Sequence, residues 1–236
     1  MTSQNMTSTN VTSQNRNSKK KKIALILSGC GHQDGSEITE AVSLLISLDQ
    51  AGATVNGFAP DLLVPEQNHL THQKTASQRN ALVESARLLR GQVKNLSTLS
   101  AQDFDGLCLA GGFGAASVLS DWATAGPQCQ LQPEVRNAIT DFYRAGKPIA
   151  AVCVAPVLLA RVLGEKKISL TVGSKSATSE QVQKTGAIHV ECPVDDFITD
   201  REHKIITSPA YMYDSAFPSQ VFKGISGLAK ELVEMA

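Results

Sequence analysis

Continuous apolar runs alternate along this chain with stretches whose apolar residues recur every three or four positions. Ile23–Leu27, Thr54–Phe58, Asp105–Ala110 and Pro148–Val152 read as strands, and the unbroken first and last runs predict burial on both sheet faces. Between them the helical period predicts Glu37–Ala51, with Ile38, Ala41, Val42, Leu45 and Leu48 as its core stripe and Asp34 or Ser36 as its cap. A polar connection, Leu62–Thr75, leads to a second expected helix, Ser77–Arg90, with Leu82, Ala86 and Leu89 inward. Further helices are expected over Pro133–Ala145, Ala155–Leu163, Ser179–Thr185 and from Ser215 or later to Val233. Ile168–Val172 reads as a short strand, and Phe197–Thr199 with Lys204–Thr207 as a hairpin. This alternation indicates an open, mostly parallel α/β sandwich, in which ligands sit beyond the carboxyl ends of the strands.

The stretch Lys147–Leu163 organises the rest. A buried strand ends at Cys153 and a helix follows, with Pro156 tolerated in its first turn. Strand, sharp turn and helix around one nucleophile form the elbow of many α/β hydrolytic and transfer enzymes. A helix N-terminus lowers the pKa of a nearby thiol, so Cys153 is expected to favour thiolate. The plainer alternative is a buried packing cysteine. Glu37 and Glu40, in the first turn of the first helix, are candidate proton carriers for it, or else ordinary acids at a helix N-terminus. Gly111 and Gly112 follow a strand at the same sheet edge. Their backbone N–H groups, with that of Val154, could form an oxyanion hole, a role compatible with a tight turn.

Composition narrows the classes. The 236 residues carry zero formal net charge, one Trp and 5% aromatic residues, which supply neither a basic field nor a stacking platform for nucleic acid. No apolar run approaches the roughly 18–20 residues that cross a bilayer. Residues 1–20 are expected to be a disordered polar tail, with repeated Thr-Ser pentads, and residues 21–236 one α/β domain. The tail shows neither an Arg-rich amphipathic pattern nor an apolar signal core. With five scattered cysteines and no CxxC pair, the chain reads as a cytoplasmic protein with reduced thiols.

Three other chemistries are weighed. Cys30, His32, His189 and Cys192 are metal-ligand types, but their spacing matches no zinc finger or ribbon, so no metal is expected. Gly29, Gly31 and Asp34 after the first strand, with Asp61 after the second, come near a dinucleotide fingerprint, but Asp34 stands where its third glycine belongs. His189 and Glu191, two apart, could complete a Cys–His–Glu triad of the glutamine-hydrolysing kind, although the alternation Ile188–Val190 equally makes His189 a strand-face residue.

Leu27–Gly31, Asp34–Glu37, Glu40–Val42, Gly111–Ala116, Cys153–Pro156, Cys192–Asp196 and Ser208–Met212 together resemble the superfamily of PfpI and the parkinsonism-associated deglycase. Within it they are most similar to the enhancing-lycopene-biosynthesis, or isoprenoid-biosynthesis glyoxalase, subgroup. The resemblance covers the chain from about Lys22 onward and implies a flavodoxin-like three-layer sandwich of the class I glutamine amidotransferase-like type. It also implies Cys153 as nucleophile and Glu40 as the glutamate bonded to it, whereas the helical stripe alone favours Glu37. Two departures matter. Val154 stands where related proteases have histidine, and Leu170–Gly173 lacks the histidine of the deglycase branch.

A cysteine–glutamate pair without a triad is therefore expected. By resemblance it would serve a cofactor-free, glyoxalase-like enzyme converting small 2-oxoaldehydes to 2-hydroxy acids, in a possible homodimer. The alternatives are a glutamine amidotransferase-like hydrolase using His189 and Glu191, and a redox-sensing or partner-binding protein in which Cys153 is oxidised rather than turned over.

Overall fold

The computed structural model describes residues 20–236, so the pentads expected as a tail lie outside the described residues. Its frame is β1 (Lys22–Ile26), in which Ile23, Ala24, Leu25 and Ile26 are all fully buried. Side chains alternate across a strand. Ile23 and Leu25 accordingly enter the apolar cluster on one face, and Ala24 and Ile26 the cluster on the other. β7 (Ile149–Val152) divides the same way, Ala150 and Val152 against Ile149 and Ala151.

Around β1 stand β2 (Thr54–Ala59), β5 (Val93–Asn95), β6 (Gly106–Leu109), β7, β10 (Ile198–Asp200) and β11 (Ile205–Ser208). They form a seven-stranded sheet in the order β10-β11-β7-β6-β1-β2-β5, parallel throughout except for β10 against β11. α1 (Ile38–Gln50) and α8 (Pro218–Met235) pack together on one face, α5 (Pro133–Arg144) and α6 (Pro156–Leu163) on the other, and two single turns, α3 (Gly114–Ser117) and α4 (Trp122–Ala125), follow β6. The mostly parallel three-layer sandwich is as expected. Short β8 (Ser169–Leu170) and β9 (Ile188–His189) pair with each other outside the main sheet, and α7 (Ala177–Lys184) lies between them in sequence.

Three local expectations are corrected. α1 is capped by Glu37, whose carboxylate accepts from Glu40 N at 2.6 Å; Ser36 Oγ instead takes Ser28 N and Asp34 is held by Arg79. Its buried stripe is also rotated. Ala41, Leu44 and Leu48 face inward with Ser43 and Ser47, while Ile38 (49% exposed), Val42 (38%) and Ile46 (45%) remain on the open side. Serine counts as polar in a periodicity argument but is small enough to bury where α8 lies against α1.

The third correction is larger. The polar connection forms an antiparallel hairpin, β3 (Leu63–Asn68) and β4 (Gln73–Asn80), and α2 (Ala81–Leu88) starts only after Asn80 caps it through Val83 N. Both hairpin strands are mostly exposed, so no apolar alternation marked them. Asn68 makes the turn: its backbone carbonyl accepts from His72 N at 2.8 Å and its side chain from Leu70 N at 2.9 Å. Edge strand β5 was not anticipated either, having only three residues.

Arg79 fastens the hairpin. Its guanidinium reaches both oxygens of Asp34 at 3.2 Å, the carbonyl of Cys30 at 2.8 Å and the carboxylate of Glu84. The Asp34 side chain is 2% exposed and also accepts Gln67 N at 2.8 Å. Arg79→Ala strands that carboxylate without its cation, so it should lower stability by roughly 3 kcal/mol. Arg79→Lys should recover only part of this because it lacks the planar fork. Denaturant unfolding of both variants measures the loss, and a wild-type midpoint in Arg79→Ala would refute this reading of the hairpin.

Candidate active site

Four neighbouring strands, β1, β6, β7 and β11, deliver their carboxyl ends side by side. Each is followed by a segment of the site: 27–37 after β1, 110–114 after β6, Cys153 after β7 and 209–214 after β11. The chain also reverses its direction of travel across the sheet between β1 and β6, the position at which open α/β sheets form a binding crevice.

Cys153 occupies the turn between β7 and α6 at φ +59°, the left-handed region that a side chain rarely adopts. Its N–H donates to Ser208 O at 2.9 Å, which holds the turn against the end of β11. The residue is 7% exposed. Burial first, and the Glu40 carboxylate second, push its thiol well above the ordinary range; the nearby N–H groups of Gly112 and Val154 pull it down. The expected lowering by the α6 dipole is thus overridden. α6 begins at Pro156, which has no N–H, and removing the sulfur from water is the larger effect.

Glu40 is fully buried. Its Oε1 accepts Tyr211 N at 3.1 Å, and its Oε2 makes no well-aligned hydrogen bond but faces the Cys153 thiol closely enough to couple the two groups. Burial, reinforced by the charge of Glu37, raises the carboxyl to about 8, against the pull of Tyr211 N–H and the thiol. The two glutamates occupy different places. Glu40 is the carboxyl beside the sulfur, while half-buried Glu37 caps the helix that carries it and lines the cleft outside.

Gly111 makes this contact possible: a Cβ there would overlap Glu40 Oε2 and the Cys153 Cβ. Its carbonyl accepts Glu37 N at 3.1 Å. Of the three expected oxyanion donors, Gly112 and Val154 direct N–H groups at the sulfur, and Gly111 supplies space. Gly112, at φ +94°, lies so close to Gly35 and Glu37 that a side chain would strike the backbone of the first loop.

Outside the pair opens a cleft of about 640 Å³, lined by Cys153, Glu37, Gly112 and Val154 together with His32, Phe113, Thr178, Tyr211, Met212 and Asp214. No motif or periodicity in the sequence singles out these last six as cleft residues. Tyr211 and Met212 lie in the quoted Ser208–Met212 motif, and the signal that could have found them is its place directly after a parallel strand.

The competing constellations are not assembled. His189, on β9, does not line the cleft; its Nε2 is buried without a partner and burial lowers its pKa. Among the described residues no group of three or more His, Cys, Asp or Glu could hold a metal, so Cys30, His32, His189 and Cys192 make no such site. The dinucleotide-like loop spends its donors internally, Gly29 N on Ser85 Oγ at 2.9 Å and Gly31 N on Ser36 O at 2.9 Å. Asp61 accepts from Asn80.

Comparison with known proteins agrees with this architecture. The chain is 38% identical over 227 residues to the human glutamine amidotransferase-like class 1 domain-containing protein 3, mitochondrial, covering 91% of this chain and 83% of that protein. It is 31% identical over 232 residues to the Danio rerio ES1 protein, mitochondrial, covering 90% and 85%. Among solved structures, an isoprenoid biosynthesis protein with an amidotransferase-like domain from Ehrlichia chaffeensis superposes with a TM-score of 0.85 at 34% identity, over 91% of this chain and 99% of that one. Drosophila melanogaster DJ-1beta, at 20% identity and a TM-score of 0.54 over 92% and 95%, shares the fold. The fold is that of the class I glutamine amidotransferase-like proteins. These relatives also correct the expected cytoplasmic location, since their names point to mitochondria. That expectation rested on a leader pattern missing from the polar tail, which is not evidence of where a protein resides. The description DJ-1/PfpI family fits residues 22–223, and the chain belongs to that family.

Proposed function

We propose that this protein is a cofactor-independent glyoxalase-like enzyme that converts 2-oxoaldehydes to 2-hydroxy acids through a hemithioacetal on Cys153. The observation that supports it is Glu40: a fully buried carboxyl whose free oxygen faces the elbow thiol at the floor of an open cleft. Ionised Glu40 takes the thiol proton as sulfur adds to the aldehyde carbon, and charge passes to the former carbonyl oxygen. The N–H groups of Gly112 and Val154, already at the sulfur, follow that charge. Glu40 returns that proton to the hemithioacetal oxygen and, again a carboxylate, carries the proton from the sulfur-bearing carbon to its neighbour through an enediol, while the hydroxyl proton passes to the adjacent oxygen, leaving a thioester. Water cleaves the thioester, giving glycolate from glyoxal or lactate from methylglyoxal and restoring the thiol.

A carboxyl near pKa 8 suits both halves of this cycle. The high pKa of the thiol keeps its proton in place until a carboxylate removes it. His189, the histidine expected for an amidotransferase-type triad, lies on β9 outside the cleft.

Cys153→Ala should abolish aldehyde turnover, and Glu40→Gln should reduce it at least tenfold at unchanged fold; wild-type rates in either variant would end the proposal. Only about a tenth of a pKa 8 carboxyl is ionised at pH 7. Accordingly, kcat/KM should climb with pH up to about 8 and then level, and Glu40→Gln should lose that limb. Stability should move the opposite way. The unfolded carboxyl titrates near its ordinary 4.5 and the native one near 8, so between these values the native state holds more protons. The contribution is intact below about pH 4.5 and lost as pH rises through 8. Thermal midpoints should therefore fall over this window in the wild type and fall less steeply in Glu40→Gln.

A further inference from the structure

The cleft is much larger than a three-carbon aldehyde needs. At about 640 Å³ it falls among pockets of ~300–1,000 Å³ that enclose drug-sized ligands. Its walls are unequal in character. Phe113 is 51% exposed on the turn after β6, and its ring forms part of the cleft wall. The ring is not on a loose loop: Phe113 N donates to His32 O at 2.7 Å and Gly114 N to Gly35 O at 3.0 Å, clamping this turn to the first loop. Val154, next to Cys153, and the adaptable Met212 add apolar surface to the cleft.

Charge points the same way. Glu37 and Asp214 line the cleft, and among the described residues no lysine or arginine does. Arg79, on the neighbouring hairpin, is committed to Asp34 and Glu84. A carboxylate or phosphate entering here would lose water and meet two acids, with only the His32 imidazole and no lysine or arginine among the described lining residues to receive it.

Building on the aldehyde reading above, we propose that this cleft selects 2-oxoaldehydes bearing an uncharged aromatic or bulky apolar group and turns away those bearing a carboxylate or phosphate. The aldehyde carbon reaches Cys153 at the floor while the apolar group packs against Phe113 and Met212. Asp214 at the cleft wall supplies the charge selection.

The test compares kcat/KM for phenylglyoxal, methylglyoxal and 4-carboxyphenylglyoxal on the full chain. Phenylglyoxal should exceed each of the others at least tenfold. Phe113→Ala should shrink the phenylglyoxal-to-methylglyoxal ratio at least fivefold, and Asp214→Lys should raise the carboxylated substrate relative to phenylglyoxal at least fivefold. Equal specificity constants, or ratios unmoved by both substitutions, overturn the proposal while leaving the glyoxalase reading intact. If no aldehyde is turned over, that reading falls and the cleft is read by alkylation of Cys153, followed by peptide mass. Rates with N-phenyl-iodoacetamide, iodoacetamide and iodoacetate, each normalised to its rate with free cysteine, should fall in that order; a flat or reversed order overturns the selectivity.

Discussion

A carboxyl removed from water beside a thiol is the constraint on which the upper edge of this sheet depends. Neither Glu40 nor Cys153 can readily ionise where it sits, and Glu40 receives a single backbone donor, Tyr211 N–H, in exchange for its hydration. Burying such a group is costly unless protonation or a partner relieves it. The surroundings limit the relief to one side. Gly111 has no side chain that could separate the two groups, and Ser208 O fixes the elbow turn. The proton has one close place to go, which is the other member of the pair. β1, β6, β7 and β11 are neighbours in the sheet, so this geometry rests on four fully or nearly buried strands.

Magnitudes explain why the thiol does not behave as its place in the chain suggests. A charge at a helix N-terminus gains typically about 0.3–1 kcal/mol, and up to ~2 in partly buried sites. Full burial can shift a pKa by ~3–5 units, each worth about 1.4 kcal/mol. Against 7% exposure and an adjoining carboxyl, the helix dipole is the weaker effect, and α6 offers no donor at Pro156. The downward pull on the thiol comes from the N–H groups of Gly112 and Val154.

What could be read from the sequence follows how local the cause is. The elbow is legible because Pro148–Val152, Cys153 and the helix after it are contiguous, and each unit carries its own signal. The alternation of β1 and β7 between two cores follows from their unbroken apolar runs. Glu40 is legible only as part of a motif. Helical periodicity treats an acid as outward-facing, and here the acid is inside while Ile38, Val42 and Ile46 are outside. The β3–β4 hairpin was invisible for a related reason. Its strands pair through backbone and through Arg79, with little apolar burial, so the pattern that identifies strands is missing. Tyr211, Met212 and Asp214 reach the cleft only because β11 lies beside β7, a pairing fixed by tertiary structure and not by neighbouring residues.

The first loop joins the buried Glu40–Cys153 pair to the outer cleft. Glu37 accepts Glu40 N, donates its own N–H to Gly111 O, raises the Glu40 carboxyl by its charge and lines the cleft. The same loop receives Phe113 N through His32 O and is held from behind by Arg79 at Asp34 and Cys30. A displacement of this loop by a bound group would therefore act on the cap of α1, and α1 carries the carboxyl that faces the thiol. The outer cleft and the Glu40–Cys153 pair at its floor are thus joined through one helical turn, backed by Arg79 of the hairpin that the sequence pattern did not reveal.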